Sequence, residues 1–222
     1  MRGISLIIGI FLLLTNLESY GATPQKVKVS NIRDTQFTIS WITDVPEIGR
    51  VNYGTYSALG ETGYDDEGSQ SLSSIHYVTI IKLTPQTTYF YQIISGTLTM
   101  EMSSVTTGIS ILPVGSDVAY GQVFKEPGNP LNKGGICYLR LKDIDGLDSK
   151  GDSQLVSTLV DENGYWSMEL VNIREANLKN LFKYSNVMDK LYIYVEGGNE
   201  GNSEQIVSTY DDSPAPDIIL GR

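Results

Sequence analysis

Leu83-Thr84-Pro85-Gln86-Thr87-Thr88-Tyr89-Phe90-Tyr91-Gln92-Ile93 sets the reading of the whole chain. A proline-marked turn runs into a stretch where Tyr89, Tyr91 and Ile93 alternate with Phe90 and Gln92, the period-two signature of a half-buried strand. The same rhythm holds upstream. Phe37, Ile39 and Trp41 alternate with Thr38 and Ser40, followed by Val51 with Tyr53 and by Val78 with Ile80, and each set predicts one buried face. By the same parity, Phe90 and Ile94 point outward from one sheet and Ile42 and Ile81 from the other. Gly, Pro, Asn and Asp clusters separate the runs at short spacing, which predicts an all-β chain of antiparallel sandwiches.

The alternation breaks near Ile111-Leu112-Pro113-Val114-Gly115-Ser116 and restarts at Val118, so the expected units are 23–112 and 113–222. In the second, strands are expected at 118–124, 135–142, 154–160, 165–171, 190–196, 204–210 and 217–220. Asp161-Glu162-Asn163-Gly164 joins two of them, and Asn-Gly is a strong local hairpin signal because both residues tolerate positive φ. Leu178, Leu181 and Phe182 recur at helical spacing, predicting one short helix between Glu175 and Tyr184.

At the start of the chain, Arg2 precedes an apolar run from Ile4 to Leu14, and a polar stretch leads to Gly21 and Ala22. Residues 1–22 read as a secretory signal peptide, cleaved after Gly21 or Ala22. The run is about half of the roughly 20 residues a bilayer span needs, so the mature chain is expected to stay out of the membrane, in an extracellular, cell-surface or periplasmic setting. Composition narrows the chemistry. One Cys and one His among 222 residues exclude a disulfide framework, a thiolate zinc site and a histidine metal cluster. The net charge is −10, with five bases against eight acids in 23–112 and ten against seventeen in 113–222. Neither half carries the clustered Lys and Arg that a nucleic-acid partner requires.

Three groups of residues carry a family resemblance in the first half. They are Ile39-Ser40-Trp41-Ile42-Thr43, then Val51-Asn52-Tyr53-Gly54 with His76-Tyr77-Val78-Thr79-Ile80, and above all Leu83 to Tyr91. About residues 24–107 resemble a fibronectin type III domain of the immunoglobulin-like class, in the variety that precedes the catalytic domain of purple acid phosphatases. The resemblance implies that Trp41 fills the space between two sheets and that Leu83 plugs the sandwich end. It also implies that Tyr89 forms a tyrosine corner, its hydroxyl bonding back to the chain near Leu83. In the second half, Gly121-Gln122-Val123, the turn Pro130-Leu131-Asn132-Lys133-Gly134-Gly135 and Asp161-Glu162-Asn163-Gly164-Tyr165-Trp166 carry the likeness. About residues 117–221 are similar to the carboxypeptidase regulatory-like, or prealbumin-like, sandwich. That likeness leaves the strand order open.

Catalysis finds little to work with. A phosphatase needs two metal ions held by Asp, His and Asn, and no His follows residue 112. A serine triad needs His76 beside an activated Ser, and no Gly-x-Ser-x-Gly elbow occurs. His76 is expected to be structural, and Cys137, in phase with Leu139 and Leu141, to be a buried inert thiol. The run Asp143-Ile144-Asp145-Gly146-Leu147-Asp148-Ser149-Lys150-Gly151-Asp152 is either a solvated loop or a collector of Ca²⁺, since alternate carboxylates around Gly suit a hard cation. Asp65-Asp66-Glu67 reads as a solvated loop. Phe90 and Ile94 are candidates for self-association, while Tyr192 and Tyr194 form an outward pair suited either to sugar stacking or to cross-strand packing.

The expectation is therefore a secreted, non-enzymatic adhesion or scaffold protein of two β-sandwich modules, with no catalytic, cofactor or metal residues assigned and a protein or glycan partner. The alternatives are a carbohydrate-binding accessory module, or a non-catalytic fragment associated with a secreted hydrolase such as a purple acid phosphatase-like enzyme.

Overall fold

The computed structural model describes residues 22–132 and 134–221. The expected signal peptide lies outside the described residues except for Ala22. Among the described residues the only helical turn is a 3₁₀ turn at Gly198–Glu200, and no helix is long and apolar enough to cross a membrane.

In the first half, β1 (Gln25–Ser30), β2 (Gln36–Gly54) and β4 (Leu72–Ile81) pair antiparallel, and β3 (Glu61–Tyr64), β5 (Thr88–Ser95), β6 (Leu98–Thr99) and β7 (Ser103–Thr106) complete a second layer. The 19-residue β2 serves both layers. Its first part pairs with β1 and β4, a register shift falls between Ile42 and Glu47, and from Gly49 it pairs with β5. An irregularity of this kind bends a strand and lets it change sheets. Phe37, Ile39, Trp41, Val51, Val78, Ile80, Tyr89, Tyr91 and Ile93 are buried in one apolar core, as their parity predicts. The Phe37 ring lies 6.3 Å from that of Tyr89 and 6.4 Å from that of Tyr91. Leu83 is buried at the end of the sandwich, and the Tyr89 hydroxyl accepts the Thr84 N–H at 2.9 Å, as a tyrosine corner requires.

The second half stacks two sheets around a second core. One has the order β11 (Val156–Val160), β10 (Gly135–Lys142), β13 (Lys190–Glu196), β14 (Asn202–Ser208). The other has β12 (Tyr165–Glu169), β8 (Val118–Glu126), β15 (Ile218–Ile219), with the short β9 (Asn129–Pro130) on β8. The seven expected strand positions match the sequence reading to within two residues at every end, but three expectations change.

The turn at residues 161–164 does not close a paired hairpin. β11 belongs to one sheet and β12 to the other, so the chain crosses the sandwich there. A turn does form there, with Gly164 alone of the Asn-Gly pair at positive φ. Gly164 N–H donates to the Asp161 carbonyl at 3.0 Å, the Asp161 carboxylate accepts from Asn163 and Tyr165, and Gly164 sits at φ +83°. A Cβ at Gly164 would fall 2.6 Å from the Val123 carbonyl, so glycine is required twice over.

Between Glu175 and Tyr184 there is no helix. Glu175 N–H donates to the Asn180 carbonyl, Arg174 bridges Leu181, and Leu178 adopts φ +62°, which a right-handed helix excludes. Asn180 and Asn177 side-chain amides both donate to the Glu175 carboxylate, at 3.0 and 3.1 Å, and these bonds hold it below its ordinary pKa. Local side-chain bonding of this kind competes with the helical ladder. Third, β15 runs parallel to β8, so the sandwich is not purely antiparallel.

The two halves are joined face to face. Ile75, Tyr77, Ile136 and Tyr138 form a third apolar cluster, with Ile42, Leu155, Leu159 and Tyr194 against it. All of these but Leu155, which precedes β11, sit on the strand parity that points away from their own core.

Candidate functional site

The seam between the halves is densely hydrogen-bonded. Thr38, Ser40 and Ile42 on β2 and Ile75 and Tyr77 on β4 face β10, β11 and β13, because in a strand the odd and even side chains leave opposite faces. Ser40 and Tyr138 hydroxyls share a hydrogen bond of 2.7 Å. The Tyr77 hydroxyl donates to the Ser157 carbonyl at 2.9 Å, and the Ser157 hydroxyl lies 2.7 Å from that of Ser30. Asn31 works in both directions: its amide donates to the Ser157 carbonyl at 3.0 Å and its oxygen accepts the Ser157 N–H at 2.9 Å. At the rim Lys26 reaches the buried Glu196 at 2.7 Å, and Glu196 also accepts the Tyr194 hydroxyl at 2.6 Å. Lys28 stands 5.2 Å over Tyr138 and 5.0 Å over Tyr194, a cation on two aromatic faces. Burial pushes the phenols of Tyr77 and Tyr138 above their ordinary range. Both therefore stay neutral at physiological pH.

The segment between the halves is strapped down as well. Arg174, buried in the second half, donates to the Ile109 carbonyl and to the Asp34 carboxylate at 3.2 Å. Val114 N–H donates to Asn172, and Ser116 and Asp117 donate to Glu169. Sequence reasoning missed Arg174, Asn31 and Ser157, whose partners lie 65 to 140 residues away.

His76 is fully buried inside β4, its ring stacked 4.7 Å from Trp41, with Nδ1 3.1 Å from the Asp65 carboxylate. Asp65 also accepts the Glu67 and Tyr77 N–H groups, so one carboxylate read as solvated is an interior staple. No serine hydroxyl among the described residues bonds to His76, and a sealed imidazole has no route to a substrate. The Cys137 thiol is buried and pushed up by desolvation, which removes its nucleophilic form.

The acidic loop gains a partner that its own sequence does not contain. Asp143 and Asp145 converge with Asp189, each offering an oxygen within 4.8 Å of the others. Asp189 is 0% exposed, and its two oxygens accept the N–H groups of Ile144 and Ser185 at 2.8 and 2.9 Å. Asp143 and Asp145 accept Gly146 and Leu147 N–H groups. These three are the residues that could hold a cation, yet three carboxylates fall short of the roughly six to eight oxygens Ca²⁺ takes. What they do in this fold is brace the loop. Asp148 and Asp152 lie beside an open groove of about 1030 Å³ that Lys150, Lys179 and Lys183 also line.

The two surface pairs read from parity fare differently. Tyr194 is drawn into the seam, stacked 6.0 Å from Tyr138, which leaves Tyr192 as the exposed ring with Lys142 5.1 Å above it. The two therefore do not form one sugar-facing platform. Ile94 is only 8% exposed and Phe90 half-buried, so that pair presents little apolar surface. Ile81 is exposed, whereas Ile42 packs into the seam. An aromatic pair not anticipated stands on the far sheet: Tyr120 and Tyr165, 42% and 51% exposed, line a groove of about 380 Å³ with Trp166, Thr158 and Asp161.

No family model matches the chain, and no curated protein matches it in sequence. Among solved structures it is similar to a computationally redesigned β-sandwich protein, at 26% identity over 39% of this chain and 94% of that one, TM-score 0.31. It is also similar to the FN1-FN3 domains of chicken CNTN1, at 14% identity over 89% of this chain and 68% of that one, TM-score 0.28.

Proposed function

We propose that the chain is an exported, non-catalytic scaffold or adhesion protein, a stiff two-sandwich unit that holds binding surfaces at a fixed separation at a cell surface or in a matrix. The single observation that supports it most is the seam. Two independently cored sandwiches are held by a bonded face instead of swinging on a linker, which favours transmission of position. The single His and the single Cys, His76 and Cys137, are sealed away from solvent. Pure protein assayed against phosphomonoester, glycoside and peptide substrates is expected to turn over none of them, and to remain bound to the producing cell's envelope or matrix on fractionation. Reproducible cleavage of any one substrate overturns the reading.

A second reading, glycan binding, gains support from Tyr120 and Tyr165, because aromatic faces beside polar groups suit sugar rings. Glycan-array binding that disappears in Tyr120→Ala and Tyr165→Ala would favour it, and binding that persists in both would end it.

A further inference from the structure

Glu47 occupies an unusual place for a carboxylate. It sits in β2 just past the register shift, is 8% exposed, and forms no ion pair with any lysine or arginine among the described residues. One oxygen accepts the backbone N–H of Ala22, and the other, Oε2, is buried with no hydrogen-bond partner. The neighbouring chain is shaped to admit it. Gly96 adopts φ +56°, its N–H bonds to the Ile48 carbonyl at 3.0 Å, and a Cβ on it would fall 1.9 Å from Oε2. A desolvated carboxylate with one bare oxygen and no cation is a costly arrangement unless a donor is still to come.

Ala22 supplies that donor once the preceding peptide bond is cut. Hydrolysis of the Gly21–Ala22 bond consumes one water, leaves a carboxylate on Gly21 and converts the Ala22 amide nitrogen into an α-ammonium. The amide carries one N–H. The ammonium carries three and a full positive charge, so it can keep Oε1 and reach Oε2 on the same carboxylate.

We propose that Glu47 is a receptor for the α-ammonium of Ala22, so that removal of the leader after Gly21 completes an internal ion pair and tightens the first sandwich. The cleavage half of this inference rests on the reading of the chain as exported; the docking half does not.

Three purified chains test the docking: one beginning at Ala22, one at Gly21, and the Ala22 chain N-acetylated. The Ala22 chain is expected to melt about 5 °C above the other two, the size of a buried charge-assisted contact in a domain pair of this length. In Glu47→Gln the gap between the Ala22 and Gly21 chains is expected to close. Equal melting of the Ala22 and Gly21 chains, or a gap that survives Glu47→Gln, overturns the proposal. If Glu47→Gln does not fold, the acetylated chain decides: it should lose the gap, and retaining it is fatal to the idea. Acylation of the α-amine should also be about tenfold slower at Ala22 than at Gly21, and equal rates count against docking. N-terminal sequencing of protein from the producing cell separates the two readings. A mature chain that begins anywhere but Ala22 overturns this inference and leaves export standing, whereas a chain kept inside with its Met1 overturns both.

Discussion

On one side of β2, Phe37, Ile39 and Trp41 are sealed among hydrocarbon and aromatic rings; on the other, Thr38 and Ser40 are sealed as completely among groups that include hydroxyls of the second half. β4 repeats the contrast, with Val78 and Ile80 facing one way and Tyr77 the other. The two faces reach the same burial by different chemistry. The core gains stability from area removed from water, at about 25 cal/mol per Å² of apolar surface. Each neutral hydrogen bond of the seam contributes only about 0.5–1.5 kcal/mol net, but it is directional, so the seam orients what the cores stabilise. Outward in a strand therefore does not mean exposed.

That contrast can be broken at its strongest point first. Trp41→Ala should destabilise the first sandwich by about 3–5 kcal/mol in denaturant titration, because a fully buried ring leaves a cavity between the layers. A loss below about 1 kcal/mol would mean the core is no better packed than the seam. Asp189→Asn tests a buried charge-assisted contact outside both regions. One of two oxygens that accept N–H groups becomes an opposed donor, and a loss of about 2 kcal/mol with local loosening of residues 143–152 in hydrogen exchange is expected. An unchanged exchange pattern would show that Asp189 does not brace the loop.

Tyr77→Phe should cost about 1 kcal/mol, because the Ser157 carbonyl and hydroxyl each lose one partner while keeping Asn31 and Ser30. Its sharper signature is calorimetric: one endotherm is expected for the unaltered protein and two partly resolved ones for the variant, as the halves lose their coupling. A single endotherm in both would make the seam a passive contact.

The smallest effect is a pH dependence. Burial raises the Asp212 pKa above its ordinary 3.8, partly opposed by a hydrogen bond to Ser213. A raised acid is stabilising when protonated: its contribution is complete below 3.8 and is lost as pH rises through the higher folded value. Asp212→Asn should therefore gain stability at neutral pH relative to the unaltered chain and show no gain near pH 3. A constant difference across that range would contradict the assignment.

Much of the strand pattern was legible because alternation is a local property. Tyr89, Tyr91 and Ile93 announced a strand by alternation, and the family resemblance, not the period, implied the corner in which the Tyr89 hydroxyl meets the Thr84 N–H. Residues 175–184 misled for an equally local reason. Leu178, Leu181 and Phe182 fit a helix by spacing alone, but Asn177 and Asn180 spend their amides on Glu175 and turn the chain back. The candidate sites were less legible. Nothing near residues 143–152 points to Asp189, and nothing near Glu47 points to Ala22, because each pairing closes over a long loop.

By itself, the amino-acid order determined the strands, the side of each that turns to its own core, and the poverty of reactive side chains, since all of these depend on residue type and a period of two. Only the tertiary structure decided that the opposite sides would meet. It carried β2 across two layers, placed β11 and β12 in different sheets, and spent Tyr138 and Tyr194 on a seam rather than on solvent. The physical reason is that a strand's two faces are equivalent in its own sequence. Which neighbour covers the second one is set by contacts between residues about a hundred positions apart.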